Sequence, residues 1–162
     1  MSPRAAARLE SLGFTQVFDY AAGKADWIST GLPTDGTEAA QPRAADIARR
    51  ETPTCRWPDR LGDAQGRAQD ADRNVCIVVN DDGVVLGRLR GSNLQGDPEL
   101  PVASVMEEGP TTVRADLGLQ EATDRMRLRR VGSMLVTTPE GRLIGILYRK
   151  DAEEALGLEP SA

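Results

Sequence analysis

Histidine is absent from the 162-residue sequence, and this absence excludes several kinds of active site. Without an imidazole there can be no Ser-His-Asp or Cys-His catalytic pair and no imidazole-bound metal. Cysteine is scarce as well: Cys55 and Cys76 stand far apart and form no CxxC motif, so a thiolate zinc site is not expected. We therefore predict neither a catalytic residue nor a metal ligand, and the few cysteines favour the reducing cytoplasm.

Other shortages exclude further classes of protein. No apolar run approaches the roughly 20 residues that a membrane-spanning helix needs, and the first residues lack the apolar core of a secretory signal. The net charge of −5 disfavours partners such as nucleic-acid polymers and anionic membranes, which select basic surfaces. Aromatic residues make up only 4% of the chain, so aliphatic side chains are expected to build the interior.

The sequence does contain an internal repeat. Residues 54–93 align without a gap to residues 112–151 at a constant offset of 58, and nine of these 40 positions are identical. The same register preserves two glycines, the apolar pattern and the turn residues, which indicates that one folding unit occurs twice. Function is therefore expected at the cleft between the two halves.

Each repeat is predicted to form a strand, a helix, a strand, a turn, a strand and a helix. In the second repeat Leu119, Ala122 and Met126 recur at helical spacing and predict one apolar stripe. Such a stripe is expected to exceed what one small repeat can bury, which predicts a homodimer. Replacing Met126 by Glu is expected to weaken the protein or its dimer by several kcal/mol. The closing helix of the first repeat is predicted to be cut short, since Gly96 and Pro98 follow it closely.

The second repeat resembles a CBS domain from Val105 to Leu156. The resemblance is carried by the helical stripe, the Pro139-Glu140-Gly141 turn and the segment from Gly145 to Asp151. Residues 47–94 resemble a more divergent copy, so together the repeats resemble a CBS pair. This implies an α+β fold of two βαββα units packed as a pseudo-twofold pair, with a cleft for AMP, ADP or ATP. It also implies a homodimer and a regulatory role toward an unidentified partner protein.

These patterns divide the chain into three parts: an N-terminal segment at 1–40, a divergent first repeat at 43–100 and a second repeat at 102–158. A Pro- and Gly-rich join at 96–101 is predicted to be an exposed linker.

In CBS domains a segment of the form G-h-x-[S/T]-x-x-[D/N] closes each ligand pocket. The second repeat keeps the last residue of this segment as Asp151, and the resemblance implies that its carboxylate accepts hydrogen bonds from both ribose hydroxyls. Asp151 could instead cap the closing helix, or do both. Tyr148 stands where the family has Ser or Thr, which predicts a narrower pocket.

The corresponding segment of the first repeat departs further from the family. Asn93 is implied to contact a ribose, whereas Arg90 at the Ser/Thr place either binds a phosphate or blocks the site. The resemblance also implies that the turn before the second strand of each repeat faces the base. The candidate residues at those turns are Asn74, Val131, Gly132 and Ser133.

Residues 9–36 resemble the C-terminal end of a rhodanese domain, where a helix, a short strand and a glycine turn precede a Trp. The residues that carry this resemblance are Gly13, Val17, Gly23, Trp27, Gly31 and Pro33. Rhodanese chemistry needs a cysteine loop upstream, and no cysteine precedes Cys55. Although Cys55 and Arg60 have the spacing of such a loop, Cys55 aligns with the strand residue Val113 and is predicted to pack as a small hydrophobe.

A non-catalytic, ligand-sensing CBS-pair protein with a rhodanese-like N-terminal remnant is therefore predicted. The alternatives are a sulfurtransferase accessory protein and a purely structural dimerisation module.

Overall fold

A computed structural model describes residues 3–18, 20–36, 41–71 and 73–159. The predicted N-terminal segment is thus described only in part, since residues 1–2, 19 and 37–40 lie outside these ranges. The helices are α1 (Pro3–Ser11), α2 (Gly23–Ser29), α3 (Ala44–Ile47), α4 (Leu61–Asp70), α5 (Val102–Val105), α6 (Leu119–Arg129) and α7 (Arg149–Ala155). The strands are β1 (Thr54–Arg56), β2 (Val75–Val79), β3 (Val85–Arg90), β4 (Glu107–Glu108), β5 (Thr112–Arg114), β6 (Ser133–Thr137) and β7 (Leu143–Tyr148).

The strands form two sheets of the same design. One sheet has the order β1-β2-β3-β4 and the other the order β5-β6-β7. In each, a parallel pair is followed by an antiparallel hairpin. Ile77 pairs with Arg88 in the first hairpin, and Leu135 pairs with Ile146 in the second, which is the same register at an offset of 58. The predicted α+β fold of two βαββα repeats is confirmed.

The first repeat closes differently from the second, as Gly96 and Pro98 predict. Strand β3 runs into a 3-10 turn at Gly91–Asn93, whereas β7 runs into the full helix α7. Glycine and proline at positions 96 and 98 prevent a longer helix in the first repeat because neither residue supports a helix interior.

The short helices before each repeat are exchanged between the two halves. Helix α5 precedes the second repeat in the chain, yet its Val102 is buried in the core of the first repeat. Helix α3 likewise places Ala44 and Ala45 in the core of the second repeat. Backbone bonds fix the exchange at equivalent positions, since Leu119 N donates to Pro42 O and Leu61 N donates to Leu100 O, both at 2.9 Å. These carbonyls satisfy N–H groups at the starts of α6 and α4.

This exchange corrects the expectation that the α6 stripe needs a second copy of the chain. Leu119, Ala122 and Met126 are each fully buried within one chain. Helix α3 and helix α7 join them in the same core, so the stripe is covered without a partner. The prediction of a homodimer therefore loses the argument from this stripe.

A third apolar layer joins the two sheets face to face. Its buried members come from both hairpins: Ile77, Val79, Leu135 and Ile146. At one end the hairpin turns bond to each other symmetrically, with Val85 N donating to Gly141 O and Leu143 N donating to Gly83 O, both at 3.0 Å. The other end of the sheets is left open as a cleft.

The N-terminal segment contains helices α1 and α2. No strand forms among residues 9–18 and 20–36, so the short strand implied by the rhodanese resemblance is not found there. The segment is held by local contacts: Trp27 Nε1 donates to Pro33 O at 2.7 Å, and the Tyr20 and Trp27 rings meet edge to face. Among the residues described, no helix has the length and apolar character needed to cross a membrane.

Candidate functional site

A cavity of about 430 Å³ occupies the open end of the cleft between the two sheets. Both repeats and the segment before β1 contribute to its wall. The lining residues are Arg49, Arg73, Asn74, Val75, Arg88, Arg90, Ser133, Leu135, Ile146, Tyr148, Lys150 and Asp151. The size is within the range of small-molecule sites.

Arg49 is fixed at this cavity through its own backbone. Its N–H donates to Ile146 O at 2.9 Å, and the Ile146 N–H donates back to Arg49 O at 3.0 Å. The two chain segments can approach this closely because residue 145 is glycine, since a Cβ there would lie 2.4 Å from Arg49 O. Gly145 therefore has a structural purpose: it admits the Arg49 backbone beside β7.

The Arg49 side chain binds the carboxylate of Asp151 with two parallel bonds. Nε donates to Oδ2 at 2.7 Å, and the second bond runs from Nη2 to Oδ1 at 2.8 Å. The guanidinium also lies 5.0 Å from the centre of the Tyr148 ring, in a cation–π contact. Both oxygens of the carboxylate that the resemblance assigns to a ribose are thus engaged by an arginine of the same chain.

The first repeat carries the opposite arrangement of charge. Glu107 occupies the position equivalent to Arg49, and it binds Arg88 Nη2 at 2.9 Å and Arg90 Nε at 3.1 Å. The hydrogen bond from Arg88 lowers the pKa of Glu107 below its ordinary value, with Arg90 adding to the effect. The Arg88 Nε atom is buried and finds no hydrogen-bond acceptor among the described residues.

The cleft is strongly basic even though the chain is acidic. Five of its lining residues are cationic and one, Asp151, is anionic. Counting Glu107 as well, five cations stand against two carboxylates, which leaves the cleft with a net charge of +3. Arg73 and Lys150 are at the cavity wall and form no ion pair within the described part of the chain. Grouped guanidinium and ammonium groups of this kind bind phosphates.

Five of the eight residues predicted from the sequence are found together at this cavity. They are Asn74, Arg90, Ser133, Tyr148 and Asp151. Their elements explain the grouping: Asn74 directly precedes β2, and Ser133 begins β6. Arg90 and Tyr148 end β3 and β7, and Asp151 follows in α7.

The remaining three predicted residues do not line the cavity. Val131 packs against the core of the second repeat, and the Gly132 carbonyl accepts a bond from Arg149 N at 2.9 Å. Asn93 is exposed in the 3-10 turn, without the helix that carries Asp151 in the second repeat. Because the first repeat lacks this closing helix, Asn93 does not lie at the cavity.

Arg49, Arg88 and Lys150 belong to the site but were not among the predicted residues. A signal for Arg49 was present, because extending the repeat register backwards aligns it with Glu107, an exchange of charge at equivalent positions. No pattern in the sequence marks Arg88, since its equivalent in the second repeat is the apolar Ile146.

The two cysteines belong to the core of the first repeat. Cys55 is 1% exposed and Cys76 is fully buried. A hydrogen bond with Cys76, together with burial, raises the pKa of the Cys55 thiol well above its ordinary value. Since the thiolate is the nucleophile, this environment disfavours a catalytic Cys55. The described residues also contain no group of three or more Cys, Asp or Glu arranged to hold a metal ion.

Comparison with known proteins gives a family match for the second repeat. Residues 102–157 match the model of the CBS domain. No curated protein matches the chain. The match does not include residues 9–36, so the rhodanese resemblance gains no support and stays a hypothesis.

Solved structures share the fold of the pair. The cytosolic domain of the Mg²⁺ channel MgtE in complex with ATP aligns with a TM-score of 0.64 and 24% identity, over 73% of this chain and 51% of that one. The CBS domains of a transcriptional regulator from Streptococcus pneumoniae align with a TM-score of 0.62 and 18% identity, over 70% and 98%. CBSX2 in complex with AMP gives 0.61 and 19%, over 70% and 95%. The chain therefore spans about half the length of the MgtE domain and nearly all of the other two.

Proposed function

We propose that the protein is a non-catalytic regulatory module that binds an adenine nucleotide in the cleft between its two repeats. The basic cavity is the observation that carries this proposal, because it combines grouped cations with apolar strand residues. The similar structures of the MgtE domain with ATP and of CBSX2 with AMP support the choice of an adenine nucleotide.

The cavity offers separate surfaces for the two ends of such a ligand. Arg73, Arg90 and Lys150 bind the phosphates, since cations at a partly dry surface favour anionic groups. Leu135 and Ile146, from the layer between the sheets, provide an apolar surface for the base. Of the two roles left open for Arg90 in the sequence, phosphate binding is the one we adopt.

The nucleotide can regulate a partner if its binding changes how the two sheets are arranged relative to each other. A ligand shifts a conformational equilibrium only when it binds one arrangement more tightly than the other. The cleft receives residues from both hairpins, so a bound nucleotide bridges them and favours one inter-sheet arrangement. The partner protein that senses the change is unidentified, and a cytoplasmic location stays a prediction from the sequence.

Calorimetric titration with AMP, ADP and ATP tests this function. We expect binding that tightens as phosphates are added, because the cleft carries an excess of positive charge. Arg90→Gln removes a charge-assisted bond worth about 1.5–3 kcal/mol and should weaken ATP binding about tenfold or more. Arg129→Gln, at the exposed end of α6, is the matched control and should leave affinity unchanged. No heat with any nucleotide would contradict the proposal and favour a structural module.

We also propose that the protein is a homodimer, as pairs of this kind commonly associate through helices. Leu128 on α6 is 86% exposed, and Trp57 before α4 is 56% exposed, so both present large apolar surfaces near helices. Light scattering at micromolar concentration is expected to give twice the mass of one chain. A single-chain mass that persists as the concentration rises would contradict the dimer.

A further inference from the structure

We infer that the cleft recognises the phosphate chain of its ligand and is indifferent to the ribose hydroxyls, because Arg49 holds the carboxylate that would bind them. This inference rests on the proposed nucleotide binding and names the part of the nucleotide that is recognised. The observations are the Arg49–Asp151 pair, its backbone support and the distribution of the remaining charges.

The Arg49–Asp151 pair is built into the fold. The Arg49 backbone is bonded on both sides to Ile146, and Arg49 O also accepts a bond from Thr52 Oγ1 at 3.0 Å. The side chain then continues over Tyr148 to both carboxylate oxygens. Because the backbone is pinned beside Gly145, the guanidinium starts from a fixed point and is already oriented toward Asp151.

A ribose diol is a poor competitor for this carboxylate. Its hydroxyls are neutral donors, whereas the guanidinium is a charged donor with a planar fork that matches the carboxylate. Displacing Arg49 would exchange two charge-assisted bonds for two weaker ones and would also remove the contact with Tyr148. Asp151 therefore serves to orient Arg49, and the diol gains nothing from it.

The phosphate chain of a ligand, in contrast, can contact several cationic groups of the cleft that carboxylates do not fully neutralise. Arg73 and Lys150 have no ion-pair partner in the described residues, and Arg88 Nε is a buried donor without an acceptor there. Arg90 shares Glu107 with Arg88, so its charge is only partly neutralised. These groups come from both repeats and border one cavity, which suits a di- or triphosphate better than a single phosphate.

The chemical class of the ligand is therefore a compound with a di- or triphosphate group, either as a nucleotide or as inorganic triphosphate. Calorimetry of the wild-type protein with four probes separates these sources: ATP, 2′,3′-dideoxy-ATP, adenosine and inorganic triphosphate. We expect ATP and its dideoxy analogue to differ by less than about twofold, adenosine to give no binding, and inorganic triphosphate to compete with ATP.

The variant Arg49→Gln tests the masking of Asp151 directly. Releasing the carboxylate should create a preference for ATP over 2′,3′-dideoxy-ATP of about tenfold, which corresponds to bonds between hydroxyls and a charged acceptor. Arg49→Gln combined with Asp151→Asn should lose that preference again. Arg50→Gln is the matched control, because Arg50 is the exposed neighbour that does not line the cavity.

The outcomes separate this inference from the proposed function. A tenfold preference for ATP over the dideoxy analogue in the wild type would overturn the inference while leaving nucleotide binding intact. The inference also fails if Arg49→Gln shows no new preference, or if adenosine binds as tightly as ATP. Binding of inorganic triphosphate without nucleotide binding would retain phosphate recognition and refute the nucleotide function. Absence of binding by all four probes would refute both.

Discussion

Met126→Glu is expected to unfold the protein at room temperature. The Met126 side chain is fully buried in the core of the second repeat, among residues of α3, α6 and α7. An ionised carboxylate there would lack water and an ion-pair partner, which costs several kcal/mol. That cost is comparable with the whole free energy of unfolding of a typical domain, about 5–15 kcal/mol.

Circular dichroism melting of the purified variants measures this effect. Gln120→Glu is the matched control, because it places the same carboxylate on the same helix at an exposed position that is not part of the apolar surface proposed for the dimer. It should change the free energy of unfolding by less than about 0.5 kcal/mol. Met126→Leu, which nearly conserves volume, should cost less than about 1.5 kcal/mol. Equal melting temperatures for Met126→Glu and Gln120→Glu would show that the core is wrongly assigned.

Gly145→Ala is expected to destabilise the protein by about 3 kcal/mol, the upper end of what overpacking normally costs. The new Cβ would lie 2.4 Å from Arg49 O and 2.8 Å from Arg49 C, which are backbone atoms fixed by two hydrogen bonds. Relief requires the segment around Arg49 to move away from β7. The same movement should withdraw the guanidinium from Asp151.

Two other glycines provide graded controls for this substitution. At Gly87, the equivalent position, the nearest atom to a new Cβ is Met106 Sδ at 2.6 Å, in a flexible side chain, so Gly87→Ala should cost less than Gly145→Ala. Gly66 is inside α4 with open space around it, and Gly66→Ala should stabilise the protein by about 0.5–1 kcal/mol. Chemical denaturation of the three variants gives the order directly. A Gly145→Ala protein as stable as the wild type would contradict the close passage of Arg49.

The repeat made most of the fold predictable. In the alignment of the two repeats, Gly83 matches Gly141 and Gly87 matches Gly145, which establishes the offset between them. The apolar runs then identify the strands of each hairpin. The clipped end of the first repeat followed from Gly96 and Pro98. These features depend on neighbours along the chain, which a sequence displays directly.

The exchanged helices and the ion pair could not be predicted in the same way. Arg49 and Asp151 are 102 residues apart, and they meet only because the segment before β1 crosses to the second repeat. An alignment of the repeats shows which positions are equivalent, but it does not show which half a short helix packs against. The stripe on α6 consequently suggested a dimer, although Ala44 and Ala45 cover it within one chain.

The net charge of the chain likewise fails to predict the local charge of the cleft. The net charge of −5 describes the whole surface, whereas the cleft collects five cations from distant parts of the chain. An acidic protein can therefore contain a site for anions, because local fields depend on the nearest groups and are screened over about 8 Å at physiological salt. Arg88, whose equivalent in the other repeat is apolar, shows why the internal comparison alone missed part of the site.

The most direct test of nucleotide binding in the cleft is a titration of ¹⁵N-labelled protein with ATP, followed by amide chemical shifts. We predict that the largest shifts occur at Arg73, Asn74, Arg90, Ser133 and Lys150, which line the cavity from both repeats. Amides of the groove beside α6, from Arg114 to Gly118, should not move and serve as the internal reference. Shifts centred on that groove, or no shifts at millimolar ATP, would contradict a nucleotide site between the repeats.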